Sequence, residues 1–363
     1  MTSAGYSQSV SWGNETKYGS AASPAQDLGA VQSISPAEKN NLIKVRTLGG
    51  NRDYKTVIPG KFEISGSMEY LFQGGAFLRQ AFGEDTSTTA TVDSGPKIPM
   101  AGLYKHVMGS AASPGVNTFP SFTLEFTDYE DSGALATTAN LKRTFVGCRV
   151  NTLKLNASVD APLKASVDWM AKRVIVSTGA KTSITSYTTD PYVFYEGYVF
   201  LTTGIATGGT PQATLKNNAV CQVLGFDFTI NNNLESHWYV AGTCSVYDSA
   251  RSAKVIIPKG RDYDLKLSMH YKNKEMYQRF LGAVTATTDS KTMNKFQVML
   301  DFVKTGVPGT ISTTLQYLRL QAASCSFNDI TINGAPEDIV NNDVTVFAKS
   351  IKCYAYDNDA SYK

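Results

Sequence analysis

At 363 residues, with 42% hydrophobic and 18% charged side chains, the chain has the composition of a soluble globular protein and room for two domains, each with its own core. Its net charge of +3 is spread along the sequence. With no dense basic run, nothing encodes the clustered phosphate contacts of tight nucleic-acid binding. No stretch reaches the roughly 20 apolar residues of a membrane helix or the apolar run of a secretory signal, so the expectation is a protein that stays where it is made. The five cysteines are widely spaced and form no CxxC pair, which argues against a disulfide scaffold or zinc site and for buried free thiols.

In chain order, residues 1–30 are rich in Ser, Gly and Ala and read as an arm or edge segment. Strand-like stretches follow at 31–34 and 42–48, with a turn at 49–51. In the next strand Phe62, Ile64, Met68, Tyr70 and Phe72 alternate with polar residues. Residues 76–83 predict a short amphipathic helix stopped by Gly83. A long stretch rich in Thr, Gly and Pro at 84–120 reads as an interaction element or decoration, before strands resume at 122–126. The three-residue step from Val150 to Leu153 interrupts a two-residue rhythm and predicts a β-bulge.

The second half then repeats the first. Residues 52–83 and 251–282 align without a gap: Arg52, Lys55, Ile58, Pro59 and Gly83 match Arg251, Lys254, Ile257, Pro258 and Gly282. The alternation returns as Tyr263, Leu265, Leu267, Met269 and Tyr271, and Asn40, Asn41 and Leu42 are echoed by Asn232, Asn233 and Leu234. Further on, Leu141, Cys148, Asn151 and Asn156 match Leu318, Cys325, Asn328 and Asn333, and the three-residue step recurs from Phe327 to Ile330. The stretch at 84–120 has no second copy. The expected fold is all-β with small helices: two tandem β-sandwich or barrel domains, 1–188 and 189–363, each with one short flanking helix.

Enzyme chemistry has little to stand on. His106, His237 and His270 occur in loop, turn and polar-strand contexts that predict solvated or locally bonded rings, and no GxSxG, Walker, GxGxxG or HExxH pattern is present. Asp128, Glu130 and Asp131, and Asp357 with Asp359, lack the spacing of a calcium loop. No catalytic, cofactor or metal residue is expected.

Trp12, Gly13, Glu15, Thr16, Tyr18 and Gly19, the strand-then-helix segment 61–84 and the closing segment 147–172 together resemble the tail tube proteins of tailed bacteriophages and related viruses. The resemblance implies a virion tail protein assembled in the host cytoplasm. Its partners would be itself, a tape measure protein, a tail terminator and baseplate proteins, with transient passage of double-stranded DNA and no membrane anchoring. Two copies per chain imply homotrimeric, pseudo-hexameric rings that close their own strand edges and stack without closing. The polar phase of the shared strand, Glu63, Ser65, Ser67 and Glu69 with Asp262, Asp264 and Ser268, is the candidate channel-facing stripe, and Lys266 and His270 share its row. Trp12, Gly13, Gly49, Arg52, Tyr54, Tyr104 and Lys105 are candidates for ring stacking. The alternatives are another tail part on this fold, a terminator or baseplate hub, and a glycan-binding sandwich using Trp12, Trp238 or the tyrosines of 192–198 as stacking platforms.

Overall fold

The computed structural model describes residues 8–48, 52–83, 85–89, 103–109, 119–128, 139–184, 186–187, 190–202, 220, 222–239, 251–271, 274–283, 285–291, 293–304, 317–334, 340–357 and 359–362. In the first half these form β1 (Gln8–Asn14), β2 (Ala30–Val45), β3 (Thr56–Leu71), α1 (Leu78–Phe82), β4 (Asp85–Thr89), β5 (Tyr104–Gly109), β6 (Phe122–Asp128), β7 (Ala139–Ser158), β8 (Lys164–Ala171) and β9 (Arg173–Gly179). The second half contributes β10 (Gly197–Thr202), β11 (Val223–Asn231), β12 (Leu234–His237), β13 (Val255–Pro258), β14 (Asp262–His270), α2 (Glu275–Leu281), β15 (Phe296–Val303), β16 (Tyr317–Asn333), β17 (Asn341–Phe347) and β18 (Ser350–Asp357).

The strand pairings repeat. β1 pairs β6 as β10 pairs β15, β3 pairs β8 as β14 pairs β17, and β7 pairs β6, β8 and β9 as β16 pairs β15, β17 and β18. The bulges repeat as well: the register shifts between Val150 and Thr152 and between Phe327 and Asp329, where the three-residue steps predict them. A central sheet runs β2-β3-β8-β7-β11-β14-β17-β16. Two outer layers, β1-β6-β7-β9 and β10-β15-β16-β18-β5-β4, share its long bent strands β7 and β16.

Period-two alternation decides which face of the central sheet is buried. Ile64, Met68 and Tyr70 on β3, and Tyr263, Leu265, Leu267 and Met269 on β14, are buried in one core that continues through both halves. Aromatic pairs tie the layers together: Trp12 meets Phe77 and Phe122 edge-on at 5.0 and 6.5 Å, Phe145 lies 5.0 Å from Trp169, and Phe226 lies 5.5 Å from Phe302. Both bent strands turn through a left-handed residue, Gly147 at φ +69° and Ser324 at φ +53°. A Cβ on Gly147 would stand 2.7 Å from that of Lys172. Gly147→Ala should therefore lower unfolding free energy by about 2 kcal/mol, read as a drop in denaturation midpoint at constant m.

The stretch at 84–120 takes an unexpected place. Its described residues form the hairpin β4–β5, which adds to the outer layer of the second half: Tyr104 faces Asp357 and Gly109 faces Lys352. The hairpin straps one half to the other. His106, expected in a loop, is fully buried beneath it, with Nδ1 3.1 Å from Asp85, Nε2 2.8 Å from the Asp359 carbonyl and its ring stacked 3.6 Å from that of Tyr362. A local strand pattern cannot reveal that partner, because it lies about 250 residues away in sequence.

Candidate assembly site

The central sheet has a solvent face as well as a core face. Glu63, Ser65, Ser67 and Glu69 lie on it, and so do Asp262, Asp264 and Ser268, opposite in phase to the buried residues of the same strands. Register carries this face across the sheet: Ser67 stands opposite Asp168, Lys154 opposite Ser166 and Thr229, and Lys266 opposite Asp227 and Thr345. Asp168, Asp227, Asp329 and Asp343 therefore join the acids read from the sequence, and Lys39, Lys154, Lys164 and Lys266 lie among them. Their strands β8, β11, β16 and β17 carry the same alternation, and the strand order brings them onto one face.

Several of these charges are paired. Lys154 lies 3.2 Å from Asp227, Lys164 3.5 Å from Glu69 and Lys61 2.5 Å from Glu63. Hydrogen bonds from Lys61 and then Asn41 hold the Glu63 carboxyl below its ordinary range, while partial burial raises that of Asp168. Among the described residues the face is polar with more acids than lysines.

The stacking candidates separate. Trp12 is a core side chain whose indole N–H donates to the Asp27 carbonyl at 2.9 Å, and a Cβ on Gly13 would meet the Ser23 carbonyl oxygen at 2.1 Å. Close packing explains both residues. Glu15 from the same opening motif accepts four hydrogen bonds, from the Gly19 and Gly147 N–H groups and the Ser121 and Thr123 hydroxyls, at 2.7–2.9 Å. Tyr104 and Lys105 lie in β5, within the strap. Gly49 lies outside the described residues. Arg52 and Tyr54 sit exposed at the tip of the β2–β3 hairpin, with Tyr54 flanked by Lys44 at 5.1 Å and Arg46 at 4.6 Å. Leu42, Ile43, Leu48, Val57 and Ile58 are exposed on the same hairpin, an apolar surface of the kind that marks contact sites.

Of the aromatic platforms a glycan would need, Trp12 and Tyr192 are buried and Trp238 lies under Lys61 at 4.5 Å. Tyr195 and Tyr198 remain exposed beside an apolar groove of about 410 Å3 lined by Phe194, Val199, Phe226 and Phe302. Among the described residues no group of three or more His, Cys, Asp or Glu side chains is placed to hold a metal ion.

The two halves meet through a strand ladder. β7 pairs β11 over seven residue pairs, from Ser158 with Gly225 to Thr152 with Asn231. At its end lies the bulge of β7, where the Val150 and Asn151 carbonyls face the second half. Asn232 occupies them, its Nδ2 donating to Val150 O at 3.0 Å and to Ala81 O at 3.2 Å, and its N–H donating to Asn151 O at 2.8 Å. The Asn151 side-chain oxygen accepts the Leu234 N–H at 2.9 Å, and Arg261 reaches the Phe82 carbonyl at the end of α1 at 2.9 Å. Arg149 of the first half donates to the Ile256 carbonyl and lies 4.4 Å over the Tyr18 ring, and Ile256 N–H donates to the Tyr18 hydroxyl oxygen at 3.1 Å. The outer edges of the central sheet, β2 and the C-terminal part of β16, have no strand beyond them among the described residues.

Among curated proteins no sequence matches this chain. Among solved structures it is similar to the tube-terminating cap of the anti-feeding prophage, determined by cryo-electron microscopy, at 13% identity over 47% of this chain and 94% of that one, with a TM-score of 0.29. A family model described as phage tail tube protein matches residues 5–348. With nearly its whole length matched, the chain belongs to the phage tail tube protein family and is a structural component of a virion tail.

Proposed function

We propose that this chain is the tube-building subunit of its tail, that three copies close into a pseudo-hexameric ring, and that rings stack into a hollow tube through which DNA passes. One observation carries the reading. Within a single chain the edge of β7 already pairs with β11, while the two positions that repeat these edges, β16 and β2, are the outer edges of the same sheet. Repeating the internal join between chains adds eight strands per copy and leaves no edge once the ring closes, which removes the aggregation hazard of open strands.

In this arrangement the polar face of the central sheet lines the channel. Its acids favour passage over retention, since like charge repels the phosphate backbone and only Lys or Arg clusters would hold it. The exposed apolar hairpin of β2 and β3 supplies the contact between rings, where a heterologous surface repeats along the axis.

Electron microscopy of the purified, concentrated protein tests this. Long hollow tubes of uniform width, built from rings with three-fold chemical symmetry and with Asp227 and Asp264 facing the lumen, are the expected result. Single rings that never stack would instead indicate a terminator, and a protein that stays monomeric at high concentration would overturn the proposal.

A further inference from the structure

The internal join also specifies, residue by residue, how a second copy of this chain would dock, an inference that rests on the ring reading above. Asn232 and Asn151 form the join within the chain, and their repeats Asn40 and Asn328 are both exposed. Side chains around the internal join are covered: Leu153 and Leu155 are fully buried, α1 buries Leu78, Ala81 and Phe82, and Phe82 stacks on Phe228 of β11 at 6.3 Å. Around the outer repeat the equivalents are less covered, and Ile330 is only partly buried. Ile332 is 43% exposed, Tyr277 is 44% exposed, and α2 buries none of its residues.

In both places an arginine holds the amide oxygen, although the two arginines are not repeats of each other. In the join, Arg261 Nε holds the Asn232 side-chain oxygen at 2.7 Å and leaves the Nδ2 group to donate across. At the outer edge a different arginine, Arg251 of the second half, donates from Nη2 to the Asn40 side-chain oxygen, the position that repeats Arg261 being Phe62. The bulge of β16 between Phe327 and Asp329 repeats the one beside the receiving carbonyls on β7. A bulge at a sheet edge re-aims backbone groups, and two bulges at matched positions with matched asparagines form one device.

We propose that Asn40 of one copy locks onto the bulge of β16 in the next, donating to the Phe327 carbonyl while Asn328 accepts the N–H of Leu42. Register then follows from the internal join. Asn231 faces Thr152 and Thr229 faces Lys154, so Lys39 faces Asp329 and Ala37 faces Thr331 across the new seam, and the charged pair selects this register over a two-residue slip. Pro36 lies within this edge of β2 and has no N–H to give, so the ladder alone is incomplete and the asparagine lock carries a larger share of the specificity.

The test uses the full chain and two kinds of variant at residues exposed in the monomer. Ala37→Cys combined with Thr331→Cys, oxidised with copper phenanthroline in air, should give covalent dimers and trimers in denaturing electrophoresis, and neither single variant should. The two positions lie at opposite ends of one sheet, about 34 Å apart at the usual strand spacing, so they can meet only across two copies, and Cys221→Ser with Cys244→Ser in every variant removes the two native cysteines that lie outside the described residues. Asn40→Ala and Asn328→Ala should each raise the concentration needed for assembly roughly tenfold through lost buried amide bonds, with monomer melting unchanged. If the unmodified chain forms tubes but the paired cysteines do not cross-link and both alanine variants assemble normally, the lock is wrong and the tube reading survives. If the unmodified chain never assembles, both fall.

Discussion

Arg319→Leu should destabilise the protein by about 3–5 kcal/mol, the largest single-residue effect expected here. Arg319 and Asp301 are essentially inaccessible to solvent and meet in a two-point pair, with Nε to Oδ1 at 2.8 Å and Nη2 to Oδ2 at 2.7 Å. The Tyr317 hydroxyl donates to the same carboxylate at 2.8 Å. Removing the guanidinium leaves a buried carboxylate facing apolar neighbours on β15 and β16, and a domain holds only about 5–15 kcal/mol in total. Urea denaturation followed by far-ultraviolet circular dichroism measures the loss. A double variant, Asp301→Leu with Arg319→Leu, should recover most of it, because the cost lies in the stranded charge rather than in the missing pair. Equal losses for the single and double variants would contradict this account.

Stability should also fall as pH rises from about 6.5 to about 10, through His106. Burial by itself opposes the charged ring, but hydrogen bonds and charge from Asp357 and Asp85 outweigh it and push its pKa up to about 10. A base whose folded pKa lies above its unfolded value of about 6.5 binds its proton more tightly in the native state. Its contribution is complete below about pH 6.5, declines through the interval and is gone above about pH 10. The loss should be on the order of a few kcal/mol and should weaken the strap first, since His106 joins β5 to the end of β18 and stacks on Tyr362. Denaturation midpoints at pH 6 and pH 9.5 measure it in the native chain and in His106→Gln. The variant should be less stable at pH 6 and show a flatter profile, and a native midpoint equal at the two values would rule the linkage out.

Much of the fold is legible without coordinates wherever one residue's phase dictates a face. Phe62 to Phe72 and Tyr263 to Met269 alternate because one face of a strand meets the core and the other does not, while Tyr271, just past β14, is exposed. A step of three in that rhythm must be an added residue, so the bulges at Val150 and Phe327 could be placed in advance. The repeat was readable for the same reason. The candidate channel stripe on β3 and β14 follows from phase too, but its wider extent on β8, β11 and β17 needs the strand order, and strand order depends on partners far away in sequence.

Trp12 shows the opposite limit. An aromatic and a glycine near the start of a weakly patterned segment read equally well as an exposed contact and as a core anchor, and only the packing of Phe77 and Phe122 around the indole separates the two. Tyr104 and Lys105, ring-stacking candidates by sequence, have a place in the strap that sequence does not reveal for a related reason: β5 is too short to announce a partner, and its position beside β18 depends on residues about 250 positions away. His106 acquires its charge from that same placement.

Strand-rich composition, buried and solvent faces, and bulges follow from residue order, because each depends on neighbours a few residues apart and on side-chain polarity, and the duplication is the same local pattern met twice. Which edges are paired inside the chain and which stay outermost is set by the tertiary structure, which also places the described strands of the 84–120 stretch, β4 and β5, in a strap. Edge pairing is a choice among backbone groups that are chemically alike in every strand. That choice is made by long-range packing, and it leaves Asn40 and Asn328 exposed where their repeats Asn232 and Asn151 meet inside the chain.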